Sequence, residues 1–134
     1  MTTLDEHKKI LQEYLNDINE KLHANLLVER QKIMGFTTSE ASTNMFAIFL
    51  HKMKLISPGF NVNHRFFSSS RQAEEHFPFS FPQKDTLFTY LIKQEELRNK
   101  LCYGRDKGED MVKAAVENLF SLKRIIEKEL GEEL

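Results

Sequence analysis

Arg98, Asn99, Lys100, Tyr103, Arg105 and Lys107 fall within ten residues of one another, around a single glycine, Gly104. Four cations stand there against one carboxylate, Asp106. A guanidinium forms two parallel N–H···O bonds to a phosphate, so the chemistry on offer is recognition of a phosphate-bearing ligand. The candidate phosphate contacts are Arg98, Asn99, Lys100 and Arg105. Tyr103 adds a hydroxyl that donates a hydrogen bond but, with a pKa near about 10, is a poor base. The same residues have a plainer reading. Cations suit the negative end of a helix dipole. Arg98 would then pair with Glu95, Asp110 or a neighbouring helix end, Asn99 would cap a carbonyl, and Tyr103 would cover the edge of a helical core.

Other reactive groups are sparse. His7, His23, His51, His64 and His76 are scattered, with no two at a spacing of three or four residues, and Cys102 is the only cysteine. No metal site and no cofactor are therefore expected, and an intrachain disulfide is excluded. His64 lies in a segment that can fold towards Arg98 and bring an imidazole to it. His51 reads as a boundary histidine. No glycine-rich phosphate loop is present, and no two carboxylates stand out as an acid–base pair.

The elements that must position this cluster are helical. Thr3 with Glu6 forms a capping box, and Leu4, Leu11, Leu15, Ile18, Leu22 and Leu26 recur at helical spacing. The periodicity predicts a first helix of roughly 30 residues, running to about Ile33 and stopping at Gly35. That is longer than a small bundle needs, so part of its stripe is expected against a second chain. A second capping box, Thr37 with Glu40, opens a helix that is apolar around most of its circumference and therefore central. Ser57-Pro58-Gly59 stops it.

Residues 57–82 hold all three prolines and six of the eleven phenylalanines. Residues 69–76 can form one or two helical turns. Two readings stand for this aromatic loop: rings folded over an open end of the core, or an aromatic surface for a partner or for nucleobases. A third helix begins near Pro82 to Asp85 and carries Leu87, Tyr90, Leu91, Gln94, Leu97 and Leu101 on one face, with Arg98 near that stripe's edge and Gly104 as its cap. A fourth begins around Asp106 to Glu109, carries Val112, Ala115, Val116, Leu119, Leu122, Ile126 and Leu130, and ends near Gly131. Glu127, Glu129, Glu132 and Glu133 give an acidic, solvated end.

At 134 residues, 40% apolar and 29% charged, the chain reads as one soluble domain spanning 1–134. Its net charge of -1 does not coat nucleic acid, so any such contact is local to the basic cluster. No run of about 18 apolar residues and no apolar signal-peptide core appear, which predicts a cytoplasmic protein without a membrane span. The fold class expected is all-α: an antiparallel bundle of four helices, up to five.

The stretch Glu96-Leu97-Arg98-Asn99-Lys100-Leu101-Cys102-Tyr103-Gly104 resembles the signature of the HEPN family (higher eukaryotes and prokaryotes nucleotide-binding domains). There an Arg-Asn pair closes the third helix and a His four residues beyond the Arg completes an RNA-cutting or nucleotide-handling site. The helix order fits the same family along nearly the whole chain. Tyr103 stands where that His belongs. The resemblance implies a two-fold homodimer with Arg98 facing a shared cleft. It implies a nucleotide- or RNA-interacting subunit, non-catalytic or weakly catalytic, paired with a nucleotidyltransferase, as in some toxin–antitoxin modules. An active metal-independent ribonuclease using Arg98, Asn99 and Tyr103, or a purely structural dimerisation module, are the alternatives. Whether the chain is an enzyme is left open. An Arg98 locked in an internal ion pair would leave only the helical scaffold.

Overall fold

The computed structural model describes residues 3–134 and shows five α-helices packed as a bundle: α1 (Leu4–His23), α2 (Gln31–Lys52), α3 (Ser70–His76), α4 (Lys84–Cys102) and α5 (Glu109–Leu130). A 3-10 turn at His64–Phe67 precedes α3. No strand occurs among the described residues, and no helix there is long and apolar enough to cross a membrane.

The Thr3–Glu6 capping box is present, with the Thr3 hydroxyl accepting from the Glu6 amide and the Glu6 carboxylate accepting from the Thr3 amide. Beyond it the first helix differs from expectation. It spans 20 residues and ends at His23, not near Ile33. Asn25 takes a left-handed conformation (φ 56°), its amide bonds the Leu22 carbonyl, and the Leu26 amide reaches back to Lys21. This is a Schellman motif with asparagine in the place usually held by glycine. The surplus length assigned to a second chain therefore does not exist. Lys54 (φ 59°) closes α2 in the same way, four residues before the Pro58-Gly59 stop.

Gly35 and the Thr37–Glu40 pair are likewise corrected, because all three lie inside α2. Gly35 is needed for proximity. A Cβ built there would stand 2.8 Å from Leu101 Cβ and 3.1 Å from Cys102 Sγ, so the α2 backbone presses directly on the end of α4. Gly35→Ala is expected to gain about 1 kcal/mol of helix propensity and to lose about 1–3 kcal/mol to overpacking against an atom fixed to the α4 backbone. The net outcome is destabilisation of up to about 2 kcal/mol, read from a urea midpoint. A stabilised variant would show that the two helices separate freely.

α2 is central, as its apolar circumference predicts: Met34, Ala41, Met45, Phe46, Ile48, Phe49 and Leu50 are buried. Three of its buried hydroxyls bond back within the helix, Thr38 to Met34 O (2.7 Å), Ser42 to Ser39 O (2.6 Å) and Thr43 to Glu40 O (3.0 Å). Gly35 meets Leu101, Glu40 meets Arg98 and Phe46 meets Phe88, so α2 and α4 run antiparallel. α4 and α5 also run antiparallel, joined where the buried Gln94 donates to Ala115 O and accepts from Asn118. The 57–82 segment folds its rings inward: Phe67, Phe77 and Phe81 are buried against Phe46, Phe49 and Phe88. Of the two readings of the loop, core closure is the one realised by these three rings.

Candidate functional site

α4 delivers the motif residues to one end of the bundle, and α2 decides what they meet. Arg98, on the penultimate turn of α4, points across the α2–α4 seam. Its Nη1 donates to Glu40 Oε1 (3.0 Å) and to Ser39 Oγ (3.2 Å). Its guanidinium carbon lies 5.2 Å from the centre of the Phe36 ring, a cation–π contact. The side chain is 11% exposed and Glu40 27%. The motif arginine is thus closed by an internal anion, which was neither Glu95 nor Asp110 nor a helix end. Arg98 is locked in an internal ion pair with Glu40, so the motif itself no longer supports a nucleotide site and leaves only the helical scaffold.

Tyr14 of α1 stands edge-on to Phe36. Burial first, and then the Glu40 carboxylate, push its hydroxyl pKa above the ordinary value. The Tyr14 hydroxyl therefore keeps its proton at neutral pH.

One turn before Arg98, Glu95 is buried and binds His64, whose Nδ1 lies 2.6 Å from Oε2 and 3.0 Å from Oε1. The loop histidine folds onto α4, but its imidazole bonds Glu95 and is not brought to Arg98, whose partners are Ser39 and Glu40. The contact fastens the 3-10 turn to the bundle with a charge-assisted bond when the imidazole is protonated.

Beyond Arg98 the motif opens to solvent. Asn99, Lys100 and Arg105 are exposed, and Tyr103 leaves the helix in an extended conformation, 67% exposed. Tyr103 does not cover the core edge. Cys102 Sγ donates to Lys32 O (3.4 Å). Burial pushes its thiol pKa up, against the opposing pull of the Arg98 and Lys32 charges, so it is a packed thiol and not a thiolate.

Lys32 was not singled out by the sequence, yet it belongs here: its ammonium donates to Gly104 O (3.4 Å). The neighbouring Gln31 bridges to the turn twice, accepting from the Lys107 amide (2.6 Å) and donating to the Lys107 carbonyl (3.3 Å). Together the start of α2 and the α4–α5 turn wall a cleft of about 620 Å³ whose charged residues are Arg30, Lys32 and Lys107 against Glu29 and Asp106. The signal that would have found Arg30 and Lys32 is the true start of α2, which the misplaced end of α1 concealed.

The large apolar side chains exposed among the described residues gather at this same end. Leu22 sits on the last turn of α1, Val28 in the α1–α2 turn, Ile33 and Phe36 on the first turns of α2, and Tyr103 after α4. Among the described residues no group of three or more His, Cys, Asp or Glu side chains is arranged to hold a metal. No family model, no curated protein and no solved structure matches the chain.

Proposed function

We propose that the chain is a HEPN-like, nucleotide- or RNA-interacting helical subunit, non-catalytic or weakly catalytic, that works as a homodimer beside a nucleotidyltransferase. The observation that carries the ligand class is the cationic rim where the start of α2 meets the α4–α5 turn. Arg30, Lys32 and Lys107 line the cleft there against Glu29 and Asp106, with the exposed Lys100 and Arg105 on the adjoining end of α4 and its turn and Glu109 and Asp110 opening α5, in a chain whose net charge is -1. Phosphate contacts draw on such local cation clusters, independently of net charge. Because Glu40 occupies Arg98, the motif arginine lends this reading no support, and the ligand class rests on the rim alone. The exposed apolar residues at the same end support a protein partner.

Fluorescence anisotropy with a labelled single-stranded RNA and with ATP, in about 50 mM and about 200 mM salt, tests the reading. The wild type is expected to bind with strong salt dependence, and the K100E/R105E/K107E triple variant to lose about tenfold or more in affinity. Equal binding by the two proteins, or none by the wild type, removes the phosphate reading. RNA cut by the wild type and spared by Arg98→Ala would move the assignment to a metal-independent ribonuclease. Sedimentation of a monomer at all accessible concentrations would remove the homodimer.

A further inference from the structure

Two buried side-chain nitrogens are without a hydrogen-bond partner among the described residues, and their rings are neighbours: His7 Nε2 on α1 and His51 Nε2 on α2. Their ring centres are 5.4 Å apart, tilted by 38°. The protonation of His7 follows from its surroundings. Asn44 Nδ2 donates to the Glu40 carbonyl (2.8 Å), so its Oδ1 faces His7 Nδ1 (2.9 Å) and accepts. His7 Nδ1 therefore carries a proton, and a neutral His7 has a bare lone pair at the buried Nε2. A second proton there would create a cation whose Nε2–H meets no acceptor, beside another imidazole. Burying an unpaired charge costs far more than burying an unpaired lone pair.

The charged groups around the pair do not relieve this. α1 contributes Lys8; α2 contributes Glu40, which lines one cleft with His7 but whose carboxylate is bonded by Arg98, and Lys52, which pairs with Glu132; the C-terminal segment brings Glu133 and Leu134 to the Lys8–Lys52 side. The loop adds neutral Asn61 and Val62. α1 packs chiefly on α2, through Leu11, Leu15 and Ile18, so it is the helix that can leave without dismantling the α2–α4–α5 core.

We propose that the His7–His51 contact is an acid-release device: proton uptake there loosens α1 from α2 while α2, α4 and α5 stay packed. Its consequence is local, because α1 carries Tyr14, which stands against Phe36 beside the Arg98–Glu40 pair. Release of α1 uncovers that seam.

The sign follows from His51, whose pKa is lowered by burial and then by His7. The unfolded or detached state binds more protons, so the contact's stability is present above the free value of about 6.5 and falls as pH drops through it. The release is confined to α1, so the readout must be local.

Hydrogen exchange of the full chain at pH 7.5 and pH 5.5, corrected for intrinsic exchange, gives that readout. The α1 amides are expected to exchange about tenfold faster or more at pH 5.5, with α4 and α5 protection unchanged. His51→Phe, or His51→Gln if the first fails to fold, is expected to keep α1 protected at both pH values. Unchanged α1 protection in the wild type, simultaneous loss in all helices, or a persisting response in the folded His51 variant overturns the proposal.

Discussion

Phe77→Ala is expected to remove about 3–5 kcal/mol of stability, the range for emptying a buried phenylalanine site. Phe77 is fully buried although it lies in the connection between α3 and α4. Its ring meets Phe46 edge-on at 5.1 Å and stacks on Phe67 at 5.8 Å, with Phe66 at 6.0 Å and Phe60 at 6.1 Å. Such aromatic contacts add to the transfer free energy of the ring itself. Truncation leaves a cavity whose walls belong to α2, α4 and the loop, and three elements cannot all move in to fill it. A small domain has only about 5–15 kcal/mol in total, so the variant is expected to be partly unfolded at 37 °C. The check is a urea titration followed by circular dichroism. A loss below about 1 kcal/mol would mean that the aromatic loop rests on the bundle without being part of its core.

Arg98→Ala is the second large effect, and it separates two roles of one side chain. The guanidinium joins α4 to α2 through Glu40, Ser39 and the Phe36 ring. Removing one partner of a buried pair strands the other, at about 3–5 kcal/mol for full burial. Glu40 keeps part of its access to water, which lowers the expected loss to about 1–2 kcal/mol. Glu40→Ala is expected to cost a similar amount, and the double variant less than the two together, because the residues are coupled. With the rim as the phosphate contact, Arg98→Ala changes RNA affinity by less than about threefold, well under one decade or about 1.4 kcal/mol. A large loss of binding without loss of stability would show that the guanidinium leaves Glu40 for the ligand. The proposal would then return to the motif arginine.

How much of this was legible depended on whether a residue's role was local. The capping box at Thr3 and Glu6 and the stop at Gly131 need only neighbours in sequence, and each was readable, whereas α4 ends at an extended Tyr103 and not at a Gly104 cap. The stripes of α4 and α5 were readable for the same reason, since a repeated apolar face needs only helical geometry. The break between α1 and α2 was not. Asparagine and lysine adopt the left-handed cap at Asn25 and Lys54, where glycine is the stronger signal, and the true glycine, Gly35, lies mid-helix. Its position is explained only by Leu101 and Cys102, 66 and 67 residues further along the chain.

The site divides along the same line. Its basic character lies in the residue types from Arg98 to Lys107, and an all-α bundle follows from four runs of helical periodicity. These rest on composition and spacing alone. Which cations are open and which are closed is a matter of distance across the seam. Glu40 reaches Arg98, Gln31 and Lys32 brace the turn, and His64 falls on Glu95 only because α2 and the loop pack against α4. Helical periodicity determines which face of a helix is buried. It carries no information about the partner across that face, because the partner is chosen by shape and charge once the helices have packed.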